Sequence, residues 1–150
     1  MGALEIQRAM AHLRLLIADL RAREESLQGA CQQFRLQLRR LSRHALYGAA
    51  SLDLALAGIG EVEERLEETE KALRRISALR RLAQQELEAL QLTLSVEEAK
   101  GQLAELQARL RSGEADISLS AEVHRLEAFI AERSQLAART IAHPLETPSP

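Results

Sequence analysis

Residues 6–41 read IQRAMAHLRLLIADLRAREESLQGACQQFRLQLRRL, and this stretch decides the fold. Its apolar side chains recur at alternating spacings of four and three residues. This period places them in one stripe along an α-helix, of the kind that packs against another helix in a coiled coil. We call the stripe the seam. Its members here are Ile6, Met10, Leu13, Ile17, Leu20, Leu27, Cys31, Phe34, Leu38 and Leu41, with Glu24 as a charged interruption.

The seam resumes in the same phase beyond residue 50. It runs from Leu52 to Leu94, and Arg80 is its charged interruption. Between the two halves, Gly48 suits a helix C-cap and Ser51 suits a helix N-cap. The sequence therefore predicts two long helices, over residues 3–47 and 52–94, that are joined by a turn within residues 48–60.

The distribution of charge favours an antiparallel hairpin over one continuous helix. Folding the chain about residue 50 brings a basic run of the first helix alongside an acidic run of the second. In this alignment Arg35 faces Glu64 and Arg39 faces Glu61, although an alignment shifted by one turn fits the charges nearly as well. Flanking charges specify pairing in coiled coils, even though each exposed pair contributes less than about 1 kcal/mol.

The two charged interruptions of the seam, Glu24 and Arg80, fall within about one layer of each other in this hairpin. A lone charge inside a seam costs several kcal/mol, and a neighbouring charge of opposite sign offsets much of that penalty. We therefore predict that the two side chains pair and pin the register of the helices.

A second break is predicted at residue 95, because Ser95 and Glu98 have the spacing of a capping box and the seam loses its phase there. The stretch 95–142 is predicted to form a shorter helical hairpin, with helices over 96–111 and 119–142. The tail 143–150 contains all three prolines and is predicted to be disordered. The predicted fold is all-α: a long antiparallel coiled-coil hairpin over 1–94, a short helical hairpin over 95–142 and a flexible tail.

The composition and motifs give no indication of catalysis, metal binding or cofactor binding. The four histidines are far apart in the sequence, the single cysteine lies on the seam, and no glycine-rich phosphate loop occurs. The net charge of −2 gives no overall attraction to nucleic acid. We therefore expect a protein that is not an enzyme, with no catalytic residue, no metal, no cofactor and no small-molecule substrate.

Protein partners are the expected ligands of the seam. Further leucines beside it predict a homo-oligomer or a place in a larger assembly, because two helices alone do not bury so wide a stripe. The predicted partner interface consists of Ile6, Met10, Leu13, Ile17, Leu20, Leu87, Leu90 and Leu94.

Two other kinds of partner are less favoured. The basic patch Arg35, Arg39, Arg40 and Arg43 is the best candidate for nucleic acid, but an acidic run of the same chain matches it. The first 20 residues form an amphipathic stripe that suits a membrane surface, but the stripe continues into the seam, so a partner helix is the simpler ligand.

Long antiparallel hairpins of this size resemble the small coiled-coil export proteins of flagellar and type III secretion systems, rotary-ATPase stalk subunits and phage-shock membrane-remodelling proteins. The resemblance lies in length and periodicity, and no family motif matches particular residues. We expect a cytoplasmic structural or adaptor subunit that acts through helix–helix contacts. The alternatives are an amphipathic membrane-associated scaffold or remodelling protein, and a nucleic-acid-binding or regulatory coiled coil.

Overall fold

A computed structural model describes residues 2–48, 51–113 and 117–142. These residues form three helices and no strand, which confirms the all-α class. The predicted tail, 143–150, lies outside the described residues. The helices are α1 (Ala3–Leu46), α2 (Leu52–Arg111) and α3 (Ile117–Ala142).

The first helix ends, as predicted, at a glycine in the left-handed region. Gly48 has a φ of 66°, and the last turn closes with the Tyr47 N–H donating to the Arg43 carbonyl at 3.0 Å. The next helix opens with the Ala55 N–H donating to the Ser51 carbonyl at 3.0 Å. The connection therefore lies at the start of the predicted window, and the two later glycines of that window are helical.

The second helix ends in the same way. Gly113 has a φ of 96°, and its N–H donates to the Leu110 carbonyl at 3.3 Å. A side chain resists this conformation, so glycine terminates a helix well. The predicted helix end at residue 111 is therefore confirmed.

The predicted helix break at Ser95 is wrong, because α2 continues through it to Arg111. The Ser95 hydroxyl donates to the Gln91 carbonyl at 3.0 Å, so its hydrogen bond is made inside the helix and not as a cap. The loss of phase is nevertheless meaningful, since Val96 and Ala99 are buried. Along one unbroken helix, a different face becomes buried near residue 95. This change shifts the phase of the apolar residues and so resembles a helix break in the sequence.

The chain divides into two compact units. The two-helix unit is Ile17–Arg81, and it contains the C-terminal part of α1 and the N-terminal part of α2. The three-helix unit comprises Met1–Leu16 and Leu82–Pro150, and its described part contains the start of α1, the rest of α2 and α3. The residues of the short helical hairpin predicted after residue 94 belong to the three-helix unit, which also includes the start of α1.

The two units differ in how fully they bury their apolar side chains. Buried side chains of the three-helix unit come from all three helices and are Ile6, Met10, Ala83, Ala89, Val96, Ala99, Leu119, Val123, Leu126 and Ala137. Those of the two-helix unit are Ile17, Leu20, Cys31 and Ala55. A third helix gives the first unit an enclosed core, whereas two helices leave most of their seam half-buried.

Gly29 has a helical backbone conformation and Gly48 has a positive φ, so substitution of each by alanine tests where α1 ends. Gly29 lies inside α1 with open space around the position of a Cβ atom. We expect Gly29→Ala to raise the free energy of unfolding by about 0.5–1 kcal/mol, because alanine loses less backbone entropy. Gly48→Ala should lower it by about 1–2 kcal/mol, because alanine is strained at positive φ. Urea unfolding followed by circular dichroism measures both, and equal effects would contradict the assignment of the α1 end.

Candidate functional site

Two interhelical ion pairs show the register of the two-helix unit. Arg80 Nε donates to Glu24 Oε1, and Arg35 Nη2 donates to Glu70 Oε1 at 3.3 Å. The residue numbers add to 104 in the first pair and 105 in the second. The helices therefore align about one turn away from the alignment about residue 50, and Arg35 pairs with Glu70 where Glu64 was predicted.

The structure brings together the two charged interruptions of the seam. The Glu24 side chain is 12% exposed and the Arg80 side chain 23% exposed, so both charges are largely withdrawn from water. At this burial each carboxylate or guanidinium requires a partner of opposite sign. The pairing of Glu24 with Arg80 is as predicted.

The predicted partner interface lies mostly inside the chain. Ile6, Met10, Ile17 and Leu20 are buried. Since the chain itself already covers these four side chains, they are not available to a partner helix in the folded protein. The other members, which are Leu13, Leu87, Leu90 and Leu94, are half-buried.

The predicted basic patch separates into two parts. Arg35 is engaged by Glu70. Arg39, Arg40 and Arg43 are exposed, and none of them makes an ion pair within the described residues. The predicted pair between Arg39 and Glu61 does not form, because Glu61 accepts from Arg65 of its own helix at 2.8 Å. We call Arg39, Arg40 and Arg43 the basic collar.

A group of exposed apolar side chains lies where α1 ends and α2 begins. Five large apolar side chains on either side of the connection are each more than half exposed, up to 84% for Tyr47. Exposed apolar residues that occur singly are ordinary, whereas a group of them marks an interaction surface. We call this group the tip cluster. Its members are Leu46, Tyr47, Leu52, Leu54 and Leu56.

Both helices of the two-helix unit bring the tip cluster to one end. The side chain of Leu41 in α1 comes within 3.6 Å of where a Cβ of Gly58 in α2 would lie, so the two helices are in contact near this end. Ala55 is buried, which leaves its neighbours Leu54 and Leu56 on the outer side of the first turns of α2. These two leucines therefore contribute nothing to the interior of the hairpin.

A cleft of about 420 Å³ lies between α2 and α3 in the three-helix unit. It contains one acid and one base, and the base, Arg125, donates to Glu122 of its own helix at 3.1 Å. Beside it, the Arg133 guanidinium lies 5.3 Å from the centre of the Phe129 ring, at cation–π distance. The residues that line the cleft are Ser95, Glu98, Ala99, Gln102, Arg125, Leu126 and Phe129. The Ser95 hydroxyl, which is the one hydroxyl of this lining, donates to the Gln91 carbonyl of its own helix at 3.0 Å.

Neither metal ligation nor membrane spanning is indicated by the part of the chain that the structure describes. No group of three or more His, Cys, Asp or Glu side chains there is placed to hold a metal ion. No helix within the same residues combines the length and apolar character that crossing a bilayer requires.

The tip cluster was not identified from the sequence, although a signal was present. Residues 45–52 carry no charge, and Leu54 and Leu56 lie off the phase of the seam. The hairpin geometry is needed to show that these side chains share one end and have no cover within the described residues. In comparisons with protein-family models, with curated proteins and with solved structures, nothing matches this chain.

Proposed function

We propose that this protein is a non-enzymatic structural or adaptor subunit that works through helix–helix contacts and associates with a second copy of itself. The proposed interface is on the two-helix unit, and coiled-coil packing of its helices against those of the second copy would form it. A cytoplasmic location is part of the proposal.

One observation carries this proposal: the seam of the two-helix unit is incompletely covered. Among the described residues of this unit beyond Leu20, the fully buried members of the seam are Cys31 and Ala55. The half-buried members are Leu27, Phe34, Leu38, Leu41, Ile59, Val62, Leu66, Leu73 and Ile76.

Further helices packed on this hairpin would remove that apolar area from water. Burial of apolar surface contributes roughly 25 cal/mol per Å², and most helical stability in proteins comes from such packing. Two hairpins that pack together form a four-helix bundle, in which every helix has two neighbours. A second copy supplies the matching hairpin without any further component.

Sedimentation equilibrium tests this proposal. We expect the protein to self-associate at micromolar concentration, and the variant Leu36→Glu/Leu79→Glu to weaken association at least about tenfold. These two leucines are the largest exposed apolar side chains of the two-helix unit outside the tip cluster. A glutamate carboxylate at either position would lose its hydration against the apolar face of a partner, which costs free energy. Because both positions are exposed in the single chain, the substitutions should leave the monomer folded.

Leu15→Glu is the matched control for self-association. Leu15 is 74% exposed and belongs to the three-helix unit, so this change should leave association unaltered. Circular dichroism establishes that all variants keep their helical content. A wild-type protein that is monomeric at these concentrations would rule out the second copy as the partner.

A further inference from the structure

We propose that the tip cluster and the basic collar together dock on the surface of an anionic lipid bilayer. The apolar side chains would enter the boundary between headgroups and acyl chains, and the arginines would lie among the lipid phosphates. This inference goes beyond the proposed helix–helix role and does not depend on it. Apart from Leu52, which opens the second half of the seam, the residues of both groups lie off the seam that a second hairpin would cover.

The form of the apolar surface favours a bilayer over a folded protein. The tip cluster projects from the ends of two helices, and its leucines are exposed between 56% and 80%. Protruding apolar groups need a complementary pocket in a protein partner, whereas a fluid interface accepts them without one. Tyr47, with an apolar ring and a polar hydroxyl, is of the residue type enriched at membrane interfaces.

The charge around the tip cluster is complementary to anionic lipid. Residues 26–60 contain four arginines and a single acid, Asp53, which gives a formal net charge of +3. Arg35 is engaged by Glu70, but the three arginines of the basic collar make no ion pair within the described residues. Their charges therefore remain available for phosphate groups.

The spacing of the two groups along α1 matches the depth of an interface. Arg43 precedes Leu46 by three residues and Arg39 precedes it by seven, which corresponds to about 5 Å and about 10 Å along the helix axis. Interfacial segments bury their apolar side chains roughly 5–10 Å into the boundary between headgroups and acyl chains. With Leu46 at that depth, the guanidinium groups reach the level of the phosphates.

The docking is expected to be reversible and sensitive to salt. Only five apolar side chains insert, and the Asp53 carboxylate at the same end opposes an anionic surface. Attraction of basic residues to anionic lipid decays within a Debye length, so raising the ionic strength weakens it.

Co-sedimentation with vesicles tests the proposal on the full chain. We expect the protein to bind vesicles of phosphatidylcholine mixed with phosphatidylserine, and to remain in solution with phosphatidylcholine alone. The variant Leu46→Ser/Leu54→Ser removes apolar contacts without adding charge, and Arg39→Gln/Arg43→Gln removes charge without adding an acid. Each should weaken binding at least about tenfold.

Matched controls come from exposed residues of the three-helix unit. Leu4→Ser/Leu15→Ser and Arg8→Gln/Arg14→Gln make the same types of substitution at other exposed positions of α1. Both control variants should bind vesicles like the wild type. Absence of binding to the mixed vesicles, or tip variants that bind as well as the controls, would overturn the proposal. A third outcome would assign the basic collar to nucleic acid instead. In that case the protein would not bind vesicles, but it would bind an oligonucleotide in a salt-sensitive way that Leu46→Ser/Leu54→Ser does not change.

Discussion

Ile6→Ala is expected to lower the free energy of unfolding by about 2–4 kcal/mol. Ile6 is 0% exposed and belongs to the three-helix unit, where truncation leaves a cavity that the neighbouring side chains fill only in part. The loss combines the transfer free energy of the removed atoms with the cost of that cavity. Urea unfolding followed by circular dichroism measures the change.

Leu4→Ala is the matched control, two residues away on the same helix. Leu4 is 59% exposed, so its truncation should change the free energy of unfolding by less than about 0.5 kcal/mol. Similar losses for the two variants would show that the start of α1 is not packed in the three-helix unit.

Removal of one member of the Glu24–Arg80 pair is expected to destabilise the protein by about 1–3 kcal/mol. Glu24→Leu leaves a largely buried guanidinium without its carboxylate, and Arg80→Leu leaves a largely buried carboxylate without its guanidinium. Arg80 makes a further interaction in the chain, so the loss from Glu24→Leu stays below that of a fully stranded charge. Chemical unfolding of the single variants measures both losses.

The double variant Glu24→Leu/Arg80→Leu separates stability from specificity. It should be more stable than either single variant by at least about 2 kcal/mol, because no charge is left unpaired. Its two helices should also pair in more than one register, since an uninterrupted apolar seam permits other alignments. Sedimentation would then reveal additional oligomers. A double variant with additive losses and unchanged association would remove the role of the pair as a register pin.

The helices and their ends were largely predictable from particular residues. The period of the seam predicted α1 and the start of α2, and Gly48 predicted where α1 ends. The pairing of Glu24 with Arg80 also followed, because a seam tolerates a charge only beside its opposite. Apolar periodicity, capping residues and charged positions can each be identified from residues within a few helical turns, so they can be predicted from the sequence.

The errors arose where a local signal has two structural meanings. Ser95 and Glu98 have the spacing of a capping box, but the same hydroxyl also bonds within a continuing helix. A loss of seam phase marks either a break or a change of packing neighbour, and Val96 and Ala99 show that it is the latter. The alignment by charge was off by about one turn, because surface pairs contribute too little to decide between adjacent registers.

The sequence by itself determined the all-α class, the hairpin and the charged pair within the seam, since these depend on spacing along a helix. Tertiary structure alone decided which part of the seam is covered by a third helix and which apolar side chains remain outside. Burial depends on elements that are distant in sequence, such as the start of α1 and the end of α2 in one unit. For the same reason the tip cluster, with its basic collar, became visible only in the folded chain.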